Sequence, residues 1–232
     1  MLEVSGLAAG YAGSDVVKDV DFHIDSGEAV MIIGSNGAGK TTLFRAVIGL
    51  LTPSAGEVRF EGADIVGMPA QRVVRLGISF VPAERHLFPR MTVQENLSLG
   101  AYPGRPDPKT MKLVMELFPR LDERRGQRAG TMSGGEQQML AVGRALVANP
   151  RLIVLDEPTT GLAPKLAAEA YEALSTLRER GLTVLVAEQQ VPLAMAFSDR
   201  GYVLENGVIR LEGTSAELAE DPEVRRAYLG VA

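Results

Sequence analysis

The feature that most constrains the fold is a glycine-rich loop that directly follows the apolar run of residues 29–33. Residues 34–41 read Gly-Ser-Asn-Gly-Ala-Gly-Lys-Thr, and this G-x-x-x-x-G-K-[ST] spacing is typical of a loop that cradles phosphates. Its backbone N–H groups turn onto the phosphates, Lys40 reaches the β- and γ-phosphates, and the Thr41 hydroxyl is a Mg²⁺ ligand. The helix expected to begin near Thr41 adds its positive dipole end. The other interpretation is a glycine-rich turn without a ligand, but strand, loop, Lys-Thr and helix all coincide here.

The loop therefore predicts a site for a nucleoside triphosphate in an α/β fold. The residues predicted to bind the nucleotide are Gly34, Ser35, Asn36, Gly37, Ala38, Gly39, Lys40, Thr41 and Thr42.

A second apolar segment, residues 152–155, ends in the two carboxylates Asp156 and Glu157. Four consecutive apolar residues fit a strand that is covered on both faces. Ligands of an open parallel sheet bind at the carboxyl ends of its strands, so both carboxylates are expected beside the phosphates. Asp156 is predicted to hold Mg²⁺ through water, and Glu157 to polarise the attacking water. Alone, such a pair is usually a solvated turn; beside a phosphate loop, it favours catalysis.

The segment Ser133-Gly134-Gly135-Glu136 allows two interpretations that are compatible with each other. Ser133 and Glu136 have the spacing of a capping box, which starts a helix without any ligand. A serine followed by two glycines at a helix N-terminus also leaves a bare surface that attracts anions. The sequence thus predicts a helix start that can also contact a phosphate.

The three motifs, in this order, resemble those of the ATP-binding subunits of ABC transporters, and the resemblance covers essentially the whole chain. It implies that the chain is an ATPase with ATP and Mg²⁺ as cofactors. It also implies a second ATP-binding subunit, since the Ser-Gly-Gly segment of one subunit covers the ATP held by the phosphate loop of the other. Tyr11 matches the residue that stacks on adenine, although by itself it could be an ordinary half-buried aromatic.

Three departures from the commonest family pattern narrow the resemblance. Ala83 stands where many members have a glutamine, and it remains open whether Glu84, one place on, makes that residue's metal contact. Gln189 takes the catalytic position of a histidine, and an amide donates a hydrogen bond but cannot carry a proton. The loop at residues 160–164 lacks an aspartate that is common there.

This set resembles the smaller ATP-binding subunit of branched-chain amino-acid importers. The resemblance implies two membrane-spanning permease chains, an indirect link to a solute-binding protein, and a peripheral location on the cytoplasmic face of the inner membrane. Two alternatives stay open. One is a related importer for urea, amides or another small solute, and the other is a dimerising ABC ATPase switch without a transport role.

Composition agrees with this interpretation. The chain has 232 residues, of which 46% are hydrophobic, so it can bury the core of one domain. The net charge of −5 and the lack of a dense basic run argue against nucleic acid as a partner. Arginines 120, 124, 125 and 128 alternate with acids and are expected to form a solvated face. Cysteine is absent, and no apolar run or signal-like start suggests a membrane span.

We therefore predict an α/β protein with a P-loop NTPase core, a mostly parallel sheet, an N-terminal antiparallel β part and a helical insertion. The single domain is expected to span residues 1–232, with the insertion at about residues 93–132, interrupted near residues 103–108 by three prolines. The first helix after the phosphate loop is expected to run to about Leu50. Asn206-Gly207, between alternating apolar runs, predicts a closing hairpin.

Overall fold

The fold was analysed in a computed structural model, which describes residues 1–189 and 191–229. The strands are β1 (Leu2–Tyr11), β2 (Ser14–Ile24), β3 (Ala29–Ile33), β4 (Ala55–Phe60), β5 (Ala63–Asp64), β6 (Ile78–Val81), β7 (Leu152–Asp156), β8 (Thr183–Glu188), β9 (Arg200–Glu205) and β10 (Val208–Thr214). The α-helices are α1 (Lys40–Val47), α2 (Ala70–Arg75), α3 (Val93–Leu99), α4 (Pro108–Leu117), α5 (Pro119–Glu123), α6 (Gly134–Val147), α7 (Pro164–Arg178), α8 (Val191–Phe197), α9 (Ser215–Glu220) and α10 (Pro222–Val224). A 3₁₀ turn covers Ala129–Thr131, and a π-helical turn covers Arg225–Leu229.

The strands form two sheets, as the sequence predicts. The first is antiparallel, with the order β2-β1-β4-β5. The second has the order β10-β9-β3-β8-β7-β6, and all neighbours in it are parallel except the hairpin of β9 and β10. Asn206-Gly207 makes the turn of that hairpin, with both residues at positive φ. The fold class is therefore confirmed.

Strands β3, β7 and β8 are buried along their whole length because the large sheet is covered on both faces. Met31, Ile153 and Val184 pack on the side of helices α3 to α8. Val30 and Val154 pack on the other side, against α1 and the antiparallel sheet. Continuous burial on two faces explains why these strands read as apolar runs rather than as alternating patterns.

Strand register places the candidate catalytic residues at one edge. Asp156 at the end of β7 pairs with Ala187 of β8, and Ile33, the residue before the phosphate loop, pairs with Glu188. Because these strands are parallel, their carboxyl ends meet at the same edge of the sheet. The phosphate loop, Asp156 and the end of β8 are thus neighbours.

Helix α1 ends at Val47, three residues before the predicted Leu50. Gly49 adopts a φ of 74°, a left-handed conformation that ends the helix and that glycine takes at little cost. The predicted helical insertion stays a prediction. The structure places α3, α4, α5 and the 3₁₀ turn between β6 and α6, and residues 100–107 form the interruption.

Within residues 1–189 and 191–229, no helix has the length and apolar character needed to cross a membrane.

Candidate nucleotide-binding site

The phosphate loop joins β3 to α1, and two of its glycines have steric reasons to be glycine. A Cβ on Gly34 would lie 2.4 Å from the carbonyl oxygen of Leu204, so no side chain fits there. Gly39 precedes α1 with a φ of 112°, which residues with a Cβ rarely adopt. The lack of a side chain at Gly34 therefore lets the loop pass close to β9.

The Lys40 side chain folds back over the loop. Its Nζ donates hydrogen bonds to the carbonyl oxygens of Gly34 at 2.7 Å and Ser35 at 3.2 Å. Although the side chain is only 4% exposed, its ammonium group is satisfied by these carbonyls. The positive charge is thereby held inside the curve of the loop, where a phosphate would bind.

The predicted nucleotide-binding residues of this loop differ in exposure. Ser35, Asn36 and Gly37 are exposed, Thr41 is half-buried, and Thr42 is buried. The tip of the loop and the Thr41 hydroxyl are therefore the parts open to a ligand. The predicted contact roles stay predictions.

Asp156 has an unusual environment for a carboxylate. It is fully buried, and within the described part of the chain neither oxygen has a hydrogen-bond partner. Burial raises the pKa of this carboxyl, and the nearby Thr41 hydroxyl and Lys40 charge only partly oppose that rise. A buried charge without a hydrogen-bond partner is costly, so a bound cation would stabilise the charged form of Asp156.

A divalent cation fits that environment. The described residues contain no cluster of three or more His, Cys, Asp and Glu side chains suited to a metal. One orphaned carboxylate beside a hydroxyl instead suits Mg²⁺, which keeps several waters and binds one or two carboxylates together with substrate phosphates. Thr41 and Asp156 are the residues that would hold it.

Glu157 follows directly and lies in a strained turn. Its φ is 50°, in the left-handed region that glutamate rarely adopts. Its N–H donates to the carbonyl of Ala187 at 2.8 Å, and the Thr160 hydroxyl donates to its Oε2 at 3.3 Å. Its Oε1 lies 3.4 Å from Lys40 Nζ, and the side chain is 19% exposed. This carboxylate therefore faces the phosphate loop.

The Ser133 segment forms the predicted capping box at the start of α6. The Ser133 Oγ accepts the N–H of Glu136 at 3.3 Å, and Glu136 Oε2 accepts the Ser133 N–H at 2.9 Å. Ser133 and Gly134 are exposed, whereas Gly135 and Glu136 are buried. A Cβ on Gly135 would lie 2.4 Å from Cδ1 of Leu166 on α7, so close helix packing requires a small residue here.

No hydrogen bond or ion pair within the described ranges joins residues 133–136 to residues 34–42. The exposed part of the segment is thus free of the chain's own phosphate loop.

Two of the four clustered arginines are more than a solvated face. Arg124 Nε lies 3.3 Å and Arg120 NH1 3.8 Å from Oε1 of the buried Glu136. The Ser133 N–H and hydroxyl, and then these two charges, hold the pKa of Glu136 below its usual range. The Arg120 and Arg124 side chains are 51% and 40% exposed, so the expected solvated face also forms ion pairs with a buried glutamate. The alternation of basic and acidic residues in the sequence does not predict their ion pairs with Glu136, which lies at the start of α6.

Glu84 lies in the loop after β6 and forms an ion pair with an arginine. Its Oε1 is 3.4 Å from Arg45 on α1, and its side chain is 53% exposed. Arg45 also donates to the hydroxyl of Tyr11 at 3.4 Å, and Tyr11 is 46% exposed. The Glu84 charge contributes to raising the pKa of Asp156. The metal role of Glu84 and the adenine role of Tyr11 stay predictions.

Two arginines that sequence reasoning missed attach this loop to α6. Arg85 Nε donates to Gln138 at 3.0 Å. Arg144 donates from α6 to the carbonyls of His86 at 2.8 Å and Arg85 at 3.1 Å. Burial lowers the pKa of Arg144. No local motif predicts these contacts, because the partners are distant in sequence: the Gln138 side chain on α6 for Arg85, and backbone carbonyls of the loop after β6 for Arg144.

Gln189 is exposed at the end of β8, at the edge shared with Asp156. Its N–H donates to Oε2 of Glu188 at 3.1 Å. Its catalytic role stays a prediction. Glu188 is buried and was not predicted as a site residue. In the sequence, only the apolar run before it and its position next to Gln189 indicate that it belongs to the site.

The fold, the phosphate loop and the carboxylates at the edge of a parallel sheet define a P-loop ATPase. Residues 17–160 match the ABC transporter family. The chain belongs to this family. Its ATP-binding cassettes are transport-coupled ATPases, so the predicted ATPase and nucleotide binding are confirmed.

Sequence relatives refine the family. The high-affinity branched-chain amino acid transport ATP-binding protein BraG of Pseudomonas aeruginosa is 45% identical over 232 residues, spanning 99% of this chain and 100% of that protein. The probable branched-chain amino acid transport ATP-binding protein LivF of Archaeoglobus fulgidus is 36% identical, spanning 100% and 99%. The predicted resemblance to this kind of subunit is confirmed.

Solved structures agree with the fold. An ATP-binding cassette of an ABC transporter in its ADP conformation is 28% identical, with a TM-score of 0.85 over 99% of this chain and 98% of that chain. A dimeric ATP-binding cassette in a post-hydrolysis state with ADP and Pi is 27% identical, with a TM-score of 0.81 over 93% of this chain and 99% of that chain.

Proposed function

We propose that the chain binds and hydrolyses ATP to energise a membrane importer for branched-chain amino acids. The proposed cargo rests on the 45% sequence identity to BraG over almost the full length of both chains. The geometry supports the chemistry, since Lys40, Asp156 and Glu157 converge at one edge of the parallel sheet.

The phosphate loop and Lys40 bind the triphosphate, and Tyr11 stacks on adenine. Thr41 and Asp156, with Glu84 as a further candidate, hold Mg²⁺, which would neutralise charge on the phosphates. Glu157 orients the attacking water and accepts its proton. Its ion pair with Lys40 supports this role, because it places the carboxylate beside the group that marks the γ-phosphate position. Gln189 donates a hydrogen bond at the same place.

A second ATP-binding subunit completes each site. Ser133 and Gly134 are exposed at the start of α6, where N–H groups and the helix dipole favour a phosphate. They would cover the ATP held by the partner's phosphate loop. The charge of Glu136 is already satisfied by Ser133 and two arginines, so it presents little uncompensated negative charge to that phosphate.

Two membrane-spanning permease chains are the further partners, with a solute-binding protein acting through them. A groove of about 330 Å³ supports this docking. Its lining includes Phe88, Tyr102 and Arg144, and Phe88 and Tyr102 are 49% and 78% exposed. Exposed aromatic groups around an arginine are typical of protein interfaces. The chain would then lie peripherally on the cytoplasmic face of the inner membrane.

Uptake by cells tests the cargo. Deletion of the gene should abolish uptake of radiolabelled leucine, isoleucine and valine at low external concentration and leave urea uptake unchanged. The wild-type gene should restore uptake, and a Glu157→Gln copy should not. Loss of urea or amide uptake with normal leucine uptake would contradict the proposed cargo. Unchanged uptake of all these solutes would contradict the proposed role in import.

A further inference from the structure

Glu188, the last residue of β8, is a fully buried carboxylate with donors from three directions. Its Oε1 accepts the N–H of Thr159 at 3.1 Å, the Thr159 hydroxyl at 2.7 Å and the Tyr171 hydroxyl at 3.4 Å. Its Oε2 accepts the N–H of Gln189 at 3.1 Å. A buried carboxylate requires such donors. Here they come from the turn after β7, from α7 and from the residue after β8.

The contacts of Glu188 with Thr159 hold the turn that carries Glu157. That residue has a φ of 50°, and a strained backbone persists only where its surroundings hold it. The Glu157 N–H is bound to the carbonyl of Ala187 at 2.8 Å. Thr159, two residues further on, is bound to Glu188. The turn is thus attached on both sides of Glu157 to the last two residues of β8.

The same carboxylate also holds Gln189 through its N–H. Glu157 and Gln189 lie on different strand ends and have no sequence proximity. One buried carboxylate therefore binds both the turn that carries the first and the backbone of the second.

Tyr171 attaches this carboxylate to α7. Burial, and then the Glu188 charge and hydrogen bond, raise the pKa of the Tyr171 hydroxyl well above its usual value. The hydroxyl therefore remains a donor. Tyr171 also packs on Phe197 of α8, with ring centroids 5.1 Å apart. The side chain that donates to Glu188 is therefore part of the packed core.

We propose that Glu188 is a positioning residue that sets Glu157 and Gln189 relative to each other for ATP hydrolysis. This inference deepens the proposed function and rests on it for the roles of Glu157 and Gln189. The competing explanation is that Glu188 only satisfies a buried turn, in which case its loss lowers stability without a specific effect on turnover.

Glu188→Gln separates the two explanations. The amide keeps the size of the side chain, and its oxygen can still accept the hydrogen bonds from Thr159. Its NH₂ group then faces the N–H of Gln189, so two donors oppose each other. We expect Gln189 to be displaced while the core stays packed.

The experiment uses the full-length chain with Glu188→Gln and Thr159→Val, and Thr183→Val as the matched control. For the kinetics, each variant is assembled with the second ATP-binding subunit and the membrane chains. Thr183 lies at the opposite end of β8, is fully buried, and accepts the N–H of Gly27 at 2.9 Å. Steady-state kinetics give kcat and KM for ATP, and amide hydrogen exchange reports on residues 157–163 and 187–189. Thermal melts measure the loss of stability in each variant.

For Glu188→Gln we expect kcat to fall at least about tenfold, since small misplacements of reacting groups are costly. KM for ATP should stay within about twofold of the wild-type value, because the variant leaves the phosphate loop and Lys40 unaltered. The Gln189 amide should exchange faster. Thr159→Val should speed exchange in residues 157–163 and lower kcat, whereas Thr183→Val should leave kcat and these amides unchanged.

Unchanged exchange at both Thr159 and Gln189 in Glu188→Gln would overturn the proposal. So would faster exchange with an unaltered kcat, or an equal loss of kcat in Thr183→Val. A wild-type chain that binds but never hydrolyses ATP, even with its partners, would contradict the proposed function instead, and the exchange result would still decide whether Glu188 holds the turn.

Discussion

The ammonium group of Lys40 lies 3.4 Å from the carboxylate of Glu157. The first belongs to the phosphate loop and the second to the turn after β7, so their contact joins the parts of the site that we propose for binding and for hydrolysis. Lys40 is also held by two loop carbonyls. Loss of Glu157 therefore leaves the ammonium group anchored for phosphate binding, which makes the two functions separable by mutation.

Glu157→Gln should bind ATP like the wild type and hydrolyse it at least about tenfold more slowly, because removal of a general base costs about 10²–10⁴ in rate. Lys40→Ala should instead lose ATP binding. A fluorescent ATP analogue measures binding, and phosphate release measures turnover. Normal turnover in Glu157→Gln would remove Glu157 from the catalytic role.

Ser133→Ala should cost about 1 kcal/mol of stability, like other losses of a helix cap, but should also abolish turnover in the assembled dimer. Thr214→Ala is the matched control, because Thr214 and Glu217 form the same capping box at α9. It should lower stability comparably and leave turnover intact. Thermal melts and ATPase assays on the same samples decide, and intact turnover in Ser133→Ala would contradict the shared ATP site.

Glu136→Gln should lower the free energy of unfolding in a pH-dependent way. Since the folded-state pKa of Glu136 is depressed, the charged form contributes stability above the unfolded pKa of about 4.3. That contribution is lost as the pH falls through the folded-state pKa. Urea unfolding from acid to neutral pH should thus give a difference between wild type and variant that shrinks toward acid. A difference independent of pH would contradict this assignment.

Asp156→Asn should raise the melting temperature of the nucleotide-free chain, because it removes a buried charge whose two oxygens have no hydrogen-bond partner in the described residues. In the wild type, ATP with Mg²⁺ should raise the melting temperature more than ATP alone. Asp156→Asn should eliminate this difference and should abolish hydrolysis. Melts with ATP, with and without Mg²⁺, measure both effects. A lower melting temperature without ligands would show that the charge has a stabilising partner.

The isolated chain should hydrolyse ATP slowly. Ala83 and Gln189 replace a glutamine and a histidine that are common in the family, so a self-dimer would carry the atypical set at both ATP sites. Turnover should rise markedly when a second ATP-binding subunit with the common residues is added together with the membrane chains. If the isolated chain turns over as fast as the full assembly, the heterodimer proposal fails and a self-sufficient homodimer replaces it.

The sequence alone determined the parts of this protein that rest on short-range chemistry. The phosphate loop depends on the backbone freedom of Gly39 and the adjacent Lys40, and the start of α6 depends on a serine and a glutamate three residues apart. Apolar runs identified β3, β7 and β8, because strands covered on both faces tolerate little else. Parallel pairing of such strands is enough to predict that Asp156 lies beside the phosphate loop.

Only the tertiary structure decided which distant groups meet. Arg124 reaches Glu136 and Arg45 reaches Glu84 across separate helices and loops. Glu188 binds Thr159 through a contact between adjacent strand ends. Such pairs have no fixed sequence spacing, because the crossovers between parallel strands separate the partners by variable lengths of chain. Their partners are set by strand order and helix packing, which no local pattern encodes.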